Sequence, residues 1–558
     1  VPPLIKQARI MSRKYDVVCT NPPYMGRRNM NPQLAAFLND NFPDTKADLF
    51  AVFIERNCRY AFKSGHLGFM TPFVWMFISS YEKLRRTITT KRSLTSLIQL
   101  EYSGFADATV PICTFTLRNE FTGETGEFVS LSNFRGADNQ PLKTLEAVTN
   151  PNVDYRYTSC SSDFSKIPGS PIAYWASKKV RSIFQKSKTL KEIAEIKQGI
   201  ATANNALFLR IWSEVSFSNI GLSFKNREKA KESGLKWFPY NKGGDYRKWY
   251  GNNDYLVNWE NDGCEIRNYK DEQGNLKSRP QNPDFYFKES ITWSFVSSSK
   301  FGVRYSPPGF IFDVAGSSLF PSKDYIYYIM AFLCTKLSHE FLKLLNPTLN
   351  FQVGNISNLP VIITTDDGKF KMINEKSLEC ISISKTDWDF FETSWDFKCH
   401  PFLTYKDNAT TIEEAFGKWS SFAESQFNQL KQNEEELNRI FIDIYGLQDE
   451  LTPEVEDEDI TISKADRERD IKSFISYAVG CMFGRYSLDK EGLIYAGGDF
   501  GEKYRVNNGD WEINVGDEWL PSSVRLAANN IIPIVDGDYF EDGVLERFVE
   551  FVKVSFGK

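Results

Sequence analysis

Histidine and closely spaced cysteine are what this sequence has least of. Among 558 residues there are three histidines, and the nine cysteines lie far apart with no CxxC pair. Structural zinc sites need about four such ligands at short spacings, so the sequence predicts no metal site. Scattered thiols also indicate reduced cysteines, as in a cytoplasmic protein, and not a disulfide framework.

Long apolar runs are absent as well. No stretch approaches the ~18 uninterrupted apolar residues of a membrane-spanning helix, and the first residues lack the pattern of a signal peptide. We therefore expect no membrane partner. With 41% hydrophobic and 25% charged residues, the composition is typical of soluble globular proteins.

An excess of positive charge is also missing, since the formal net charge is -5. This is a weak argument against a DNA partner, because binding depends on the charge of the local surface, and an acidic region elsewhere can mask a basic cleft. The length predicts three or four domains, at a typical size of about 100 to 200 residues each.

The stretch at 15–24, YDVVCTNPPY, carries the most specific chemistry in the sequence. Its valine pair predicts a buried parallel strand, which Pro22 and Pro23 must end because proline cannot donate to a ladder. Asn21 then stands at the carboxyl end of a strand, the edge of an open α/β sheet at which ligands bind. The Asn21 side-chain oxygen and a proline carbonyl can both accept from one exocyclic NH2 group, and Tyr24 can stack on the ring that carries it.

The tetrapeptide Asn21-Pro22-Pro23-Tyr24 resembles the catalytic motif of N6-adenine DNA methyltransferases, and the run 15–25 resembles the phage-exclusion (BREX) type. The structural alternative is a strand followed by a proline turn. A similar tetrapeptide occurs in glutamine methyltransferases that act on proteins, so the motif alone does not fix the substrate. The resemblance implies S-adenosylmethionine as cofactor, double-stranded DNA as partner, and other phage-defence proteins as candidate partners.

The resemblance also assigns roles to single residues. It implies that the four residues of the tetrapeptide are catalytic, and that Tyr24 and Phe105 stack on an extruded adenine from opposite sides. It further implies that Asp48 helps to line the cofactor pocket. Asp48 precedes a predicted helix, so a capping role explains it equally well. Phe105 lies in a predicted strand region, where a phenylalanine is usually a core residue.

Two adjacent arginines, Arg27 and Arg28, follow the tetrapeptide in a polar, glycine-containing loop. One interpretation is a lip over the base pocket that touches DNA phosphate. The other is a solvated loop, and the sequence supports the two interpretations about evenly.

Short apolar runs at 67–72 and 97–100 predict further strands, with helices between them. Together these segments predict an α/β fold, with a partial doubly wound methyltransferase sheet in residues 1–150. In the resembling arrangement the cofactor motifs precede the catalytic strand, which here begins near residue 15. We therefore expect the chain to be a fragment that, alone, neither binds S-adenosylmethionine tightly nor methylates DNA.

The composition changes after the serine- and proline-rich segment 161–171, which predicts a domain boundary. Segments at 198–205, 293–313 and 345–356 resemble, in this order, the start, the middle and the end of a target recognition domain. We therefore predict an α+β target recognition domain at 165–365.

Within this predicted domain, the segment 237–250 interleaves aromatic residues with lysine and arginine around a glycine turn. Rings beside cations suit contacts to bases and phosphates, so the segment predicts DNA contacts by Lys242, Arg247, Lys248 and Trp249. An aromatic hairpin with charged edges explains the same composition.

Residues 385–558 predict a mainly helical C-terminal region, with a long amphipathic helix at 412–444. Within this C-terminal region, residues 476–486 resemble a segment of the phage-exclusion methyltransferases. A permuted methyltransferase would need a helix after its glycine-rich cofactor loop. Residues 502–509, which follow the glycine-rich run 495–501, predict a hairpin instead.

Taken with the resemblance, the sequence predicts a site-specific DNA adenine-N6 methyltransferase of phage defence that depends on S-adenosylmethionine. The alternative from another class is a non-catalytic DNA-binding specificity module. A glutamine methyltransferase fits less well, because it would not need the large aromatic domain that follows the catalytic half.

Overall fold

The computed structural model describes residues 2–102, 111–296, 300–346, 350–516, 518–535, 539–540 and 542–557. The chain divides into two compact units. Unit 1 comprises Val1–Thr189, Glu340–Thr348 and Asn358–Val361, and unit 2 comprises Leu190–His339, Leu349–Ser357 and Ile362–Lys558. Within the described ranges, no helix is both long enough and apolar enough to cross a membrane.

Unit 1 is built on a six-stranded mixed sheet with the strand order β1-β2-β4-β3-β5-β6. The pairs β1/β2 and β3/β5 are parallel, and β4 lies antiparallel between β2 and β3. The strands are β1 (Tyr15–Thr20), β2 (Ala61–Pro72), β3 (Ser93–Gln99), β4 (Ile112–Arg118), β5 (Thr125–Ser130) and β6 (Arg156–Cys160), and a short pair is formed by β7 (Lys188–Thr189) and β18 (Pro360–Val361). The helices are α1 (Pro2–Ser12), α2 (Pro32–Asn41), α3 (Leu49–Tyr60), α4 (Glu82–Lys91), α5 (Asn139–Thr149) and α6 (Lys178–Lys186).

The core of unit 1 lies where α3 and α4 pack on the sheet. The apolar residues Phe50, Ile54, Leu67, Leu97 and Phe115 are all buried there. Helical spacing on α3 and strand alternation on β2 aim these side chains at one another, as expected for a helix layered on a sheet. The predicted strands at 67–72 and 97–100 and the predicted helix after residue 48 are therefore confirmed.

Two expectations about unit 1 are wrong. Val17 was expected to be buried, but it is 60% exposed because β1 is the edge strand and pairs only with β2 among the described strands. The segment 161–171 was expected to be a domain boundary. Its residues Phe164 and Ile167 are fully buried in unit 1, because apolar side chains between its serines reach the core. The change of unit comes after Thr189.

Unit 2 combines small sheets with helices. Two of its sheets have four strands each, in the orders β10-β12-β11-β16 and β15-β14-β17-β8. The strands are β8 (Ala194–Lys197), β9 (Ile200–Ala201), β10 (Leu209–Ile211), β11 (Trp237–Asn241), β12 (Tyr255–Asn258), β13 (Arg279–Pro280), β14 (Ser290–Trp293), β15 (Val303–Ser306), β16 (Ile311–Phe312) and β17 (Ser318–Pro321). The helices up to residue 361 are α7 (Asn205–Phe208), α8 (Arg227–Glu232), α9 (Glu260–Arg267), α10 (Ile326–Cys334), α11 (Lys336–Leu345) and α12 (Val353–Ser357). In α11, the residues up to His339 belong to unit 2 and those from Glu340 onward belong to unit 1.

The C-terminal part of unit 2 is mainly helical. Its helices are α13 (Asp367–Asp389), α14 (Pro401–Thr404), α15 (Ile412–Tyr445), α16 (Arg467–Met482) and α17 (Val544–Phe556), and α15 confirms the predicted long helix. A three-stranded antiparallel sheet also occurs, formed by β19 (Tyr504–Asn507), β20 (Asp510–Val515) and β21 (Glu518–Pro521). The β19/β20 pair is the hairpin expected after the glycine-rich run.

The functional labels given to 1–150, 165–365 and 385–558 remain predictions. Their limits differ from the two units, since unit 1 continues to Thr189 and unit 2 includes residues on both sides of 365. The reason is physical. Composition marks where polarity changes along the chain, whereas a compact unit is defined by which side chains pack together.

Candidate functional site

Asn21 directly follows β1, at the carboxyl end of a strand that runs parallel to β2. The register pairs Thr20 with Phe69, three residues before the end of β2, and Asn21 follows this last pair directly. The Tyr24 hydroxyl can donate to Asn21 Oδ1, at 3.0 Å, and to the carbonyl oxygen of Met70, at 3.3 Å. The tetrapeptide is thereby tied to both parallel strands, and Asn21 itself is exposed.

The two prolines fix the turn between Asn21 and Tyr24. Pro22 is buried and Pro23 is exposed, and neither has an N–H that would need a partner. The Tyr24 side chain is 41% exposed and makes a T-shaped contact with Phe50, with ring centroids 6.4 Å apart. Partial burial, followed by the nearby Cys113 thiol, raises the pKa of Tyr24, so its hydroxyl keeps the proton that it donates.

Asp48 is the N-cap of α3. Its Oδ1 accepts from the backbone N–H of Phe50 at 3.3 Å and from the backbone N–H of Met25 at 3.0 Å. A backbone bridge also pairs Gly26 with Asp48. The carboxylate lies close enough to Tyr81 to add to the effect of burial, and together they raise the pKa of Tyr81 to about 12. The capping interpretation is confirmed, and the role at the cofactor stays a prediction.

Arg27 and Arg28 form a short 3-10 turn, Arg27–Asn29, immediately after Gly26. Both arginine side chains are exposed, and neither has an ion pair in the described part of the chain. They border a cavity of about 830 Å³ in unit 1. The cavity is lined by Gly26, Arg27, Arg28, Asn29, Pro43, Asp44, Lys46, Ala47 and Ser80. The contact of the two arginines with DNA stays a prediction.

Phe105, the predicted second stacking residue, lies outside the described residues. In the described ranges, no group of three or more His, Cys, Asp or Glu side chains is placed to hold a metal ion.

The DNA contacts predicted for Lys248 and Trp249 are wrong. Their side chains are buried in unit 2, where Lys248 Nζ forms an ion pair with Glu434 and Trp249 Nε1 donates to Glu434 Oε1 at 2.8 Å. Burial alone would lower the pKa of Lys248, but the charge and hydrogen bond of Glu434, together with the nearby Tyr246 and Cys334, outweigh burial and the pKa is raised. A buried, paired ammonium group cannot contact phosphate.

Arg247 and Lys242 are partly buried and each is paired with a carboxylate of unit 2, and their contact with DNA stays a prediction. The Arg247 guanidinium lies 2.6 Å from the Asp387 carboxylate and 5.0 Å from the centre of the Trp388 ring. Lys242 Nζ lies 2.9 Å from Asp313, which is almost fully buried. Each cation is matched by a carboxylate within unit 2, so the basic character of the segment serves internal ion pairs. The predicted interleaving of rings and cations is present, and its buried members Lys248, Trp249 and Tyr250 lie in the interior.

Sequence reasoning missed two parts of the site in unit 1. The first is the Met70 carbonyl, which accepts from Tyr24, and the only sequence signal for it was that β2 ends in Thr-Pro beside the first proline-terminated strand. The second is Lys46, which joins the two arginines at the cavity. Nothing in the local pattern around Lys46 indicates this, because the turn brings the residues together in space.

Comparison with known proteins adds the following similarities. Residues 4–105 match the family described as Eco57I restriction-modification methylase. The chain is 41% identical over 565 residues to the adenine-specific methyltransferase PglX of Lacticaseibacillus casei (strain Zhang), covering 99% of this chain and 45% of that protein. It is 34% identical over 578 residues to the adenine-specific methyltransferase BrxX of Escherichia coli O9:H4 (strain HS), covering 100% of this chain and 45% of that protein.

The chain therefore spans somewhat less than half the length of these two curated relatives. Among solved structures, the type IIL restriction-modification enzyme MmeI in complex with DNA aligns with 78% of this chain and 55% of its own chain. That alignment has a TM-score of 0.49 and 10% identity.

Proposed function

We propose that this chain carries the catalytic residues of a DNA adenine-N6 methyltransferase of phage defence. The premise is that it is a homologue of the PglX and BrxX adenine-specific methyltransferases along 99% or more of its length. The observation that supports this most directly is the placement of Asn21 Oδ1 at the end of β1, with the Tyr24 hydroxyl at 3.0 Å. The proposed substrate is adenine in a specific double-stranded DNA sequence.

Asn21 Oδ1 and the backbone carbonyl of Pro22 are the proposed acceptors for the two N–H groups of the adenine amine. Acceptors on both protons raise electron density on the nitrogen and hold its lone pair toward an electrophile. An amide oxygen has two lone pairs, so Asn21 can accept from the amine while it still accepts from Tyr24. The donation from Tyr24 therefore orients the Asn21 side chain without using up its acceptor capacity.

Tyr24 is the proposed stacking partner of the base. Its ring is 41% exposed, and the edge contact with Phe50 and the hydroxyl contacts fix its plane before a base arrives. A base that is turned out of the helix loses its stacking neighbours, and an aromatic face replaces part of that loss. Preorganising the ring lowers the ordering cost of binding.

The proposed methyl donor is S-adenosylmethionine, which when bound supplies an electrophilic methyl group. Asp48 fits a role at this cofactor, because Oδ1 is engaged by two backbone amides whereas Oδ2 has no hydrogen-bond partner in the described part of the chain. A side chain at Gly26 would begin 3.6 Å from Oδ2, so glycine at this position keeps the oxygen accessible.

The second candidate is a DNA-binding module without chemistry. A site-resolved experiment separates the two: the complete gene is expressed in cells that lack adenine methylation, and N6-methyladenine is mapped by single-molecule sequencing. We expect methylation at one sequence motif, and its loss in Asn21→Ala. Asn41→Ala, an exposed asparagine at the end of α2, is the matched control and should keep the mark. Adenine methylation by the Asn21→Ala protein would falsify the assignment.

A further inference from the structure

The cavity beside the catalytic turn, which we call the basic cleft, has an unusual charge balance. Three cationic side chains line it, from Arg27, Arg28 and Lys46, against the one carboxylate of Asp44. Asp44 is paired with Lys83, whose Nζ lies 2.7 Å from its Oδ1. The three lining cations have no ion pair in the described part of the chain, although the whole sequence has a net charge of -5.

The walls of the basic cleft are held by interactions beneath it. The backbone N–H of Arg27 donates to the carbonyl of Ala47 at 3.1 Å, and Gly26 bridges to Asp48. On the other side of the turn, Met30 packs against the small core formed by α2 and α3. The turn that carries the arginines is therefore fixed at both ends, and the cations converge without needing a ligand to order the backbone.

The location of the basic cleft relates it to the catalytic residues. Gly26, its first lining residue, is two positions after Tyr24, and Asp48, which caps α3, binds the backbone between them. A nucleotide whose base reaches Tyr24 brings its own phosphates to the same edge of the sheet. The basic cleft has a volume of about 830 Å³, which is ample for sugar and phosphate groups, and its exposed arginines are accessible to a long polymer.

We propose that the basic cleft binds backbone phosphates of the DNA strand that carries the target adenine, with Lys46 as a phosphate contact beside Arg27 and Arg28. This inference rests on the proposed function. Arginine offers a planar fork of donors and lysine a point charge, and both are suited to phosphate. Such contacts fix the register of the strand on the protein but do not read its sequence. Asp44 and Lys83 form a neutral pair that leaves the cleft cationic.

The test measures DNA binding as a function of salt, using the protein expressed from its complete gene and a duplex containing the motif that the wild-type protein methylates. Lys46→Gln and Arg28→Gln should each lower the slope of log K against log salt by about 0.9 for each lost phosphate contact. Asp44→Asn should instead strengthen binding, because it removes the one carboxylate that lines the basic cleft. Lys63→Gln, an exposed lysine on β2, is the matched control and should leave the slope unchanged.

A second arm identifies the phosphates. Neutral methylphosphonates replace single phosphates around the target adenine, and each duplex is measured with the wild-type protein and with Lys46→Gln. We expect one substitution to remove the effect of Lys46→Gln, since the charge pair is then already lost. If the effects of the methylphosphonate and of Lys46→Gln on affinity were strictly additive at every position, the proposal would be overturned. A free source of phosphate is checked by titrating inorganic phosphate and dAMP: saturable binding that needs Lys46, with an unchanged DNA slope, would also overturn it.

The outcomes separate this inference from the proposed function. A wild-type protein that neither methylates adenine nor binds DNA contradicts the proposed function. If the wild-type protein does both, and Lys46→Gln and Arg28→Gln give the same slope as Lys63→Gln and the wild type, only the phosphate site is contradicted.

Discussion

The Tyr24 hydroxyl lies 3.0 Å from Asn21 Oδ1, so the proposed stacking ring also orients the proposed amine acceptor. Tyr24→Phe and Tyr24→Ala separate these two roles. Tyr24→Phe keeps the ring and loses the hydrogen bond, and we expect a moderate loss of methylation rate, about five- to tenfold, which corresponds to about 1 to 1.4 kcal/mol for one neutral hydrogen bond.

Tyr24→Ala removes the ring itself, and base–aromatic stacking contributes about 1 to 3 kcal/mol per base, so we expect a further loss of up to about a hundredfold. Single-turnover rates on a duplex with the methylated motif provide the measurement. Equal rates for Tyr24→Phe and Tyr24→Ala would contradict stacking on this ring.

A second prediction concerns Asp48, whose Oδ1 caps α3 and holds the Met25 amide. Asp48→Asn keeps an acceptor oxygen and removes the charge, whereas Asp48→Ala removes both. We expect Asp48→Ala to lower the free energy of unfolding by about 1 to 2 kcal/mol, as for a lost N-cap, and Asp48→Asn to change it little.

If Asp48 also serves the cofactor, Asp48→Asn should weaken S-adenosylmethionine binding without a matching loss of stability. Urea unfolding gives the stability, and calorimetry on the protein from the complete gene gives the cofactor affinity. Normal affinity in Asp48→Asn would leave Asp48 with the capping role only.

The features that could be predicted from the sequence are those set by neighbouring residues. The strand before Asn21, its proline stop and the cap at Asp48 depend on a few adjacent residues, and the structure has each of them. The exposure of Val17 could not be predicted in this way, because whether a strand lies at the edge of a sheet depends on the order of all the strands.

The basic segment at 242–249 shows the same limit for electrostatics. Its cations suggested a nucleic-acid surface, but the carboxylate that neutralises Lys248 is 186 residues away along the chain. No local pattern reveals such a partner. Lys46 is the converse case, since nothing marks it in the sequence, yet folding brings it to the two arginines.

The ion pair between Lys248 and Glu434 yields a third prediction. Lys248→Met leaves a buried carboxylate without its cation, and breaking a buried pair in this way costs about 3 to 5 kcal/mol. Adding Glu434→Gln should restore much of the loss, because the glutamine oxygen can still accept from Trp249 and no charge remains. Denaturation followed by tryptophan fluorescence measures both variants.

The double variant also tests the correction of the DNA contact. Because Lys248 is buried, the salt dependence of DNA binding should be the same for the wild type and for the folded double variant. A reduced slope would mean that Lys248 reaches phosphate after all.

The last prediction concerns His400, which is buried in unit 2 and accepts from the backbone N–H of Phe402 through Nδ1. Burial, partly opposed by a hydrogen bond with the backbone of Asp470, lowers the pKa of His400 from 6.5 to about 3. Between these values the unfolded state binds a proton that the folded state does not. Stability contributed by neutral His400 is therefore present above pH 6.5 and is lost as the pH falls toward 3.

At pH 5 this group should reduce the free energy of unfolding by about 2 kcal/mol relative to pH 7 or above. His400→Asn is the informative variant, because its amide oxygen can keep the cap on Phe402 while no proton can bind. Urea unfolding at pH 7.5 and pH 5 gives the loss for each protein. The destabilisation caused by the smaller side chain is the same at both pH values and cancels. On acidification, the free energy of unfolding of the wild type should therefore fall by about 2 kcal/mol more than that of His400→Asn. Equal losses would mean that His400 is protonated in the folded protein at pH 5, with a nearly ordinary pKa.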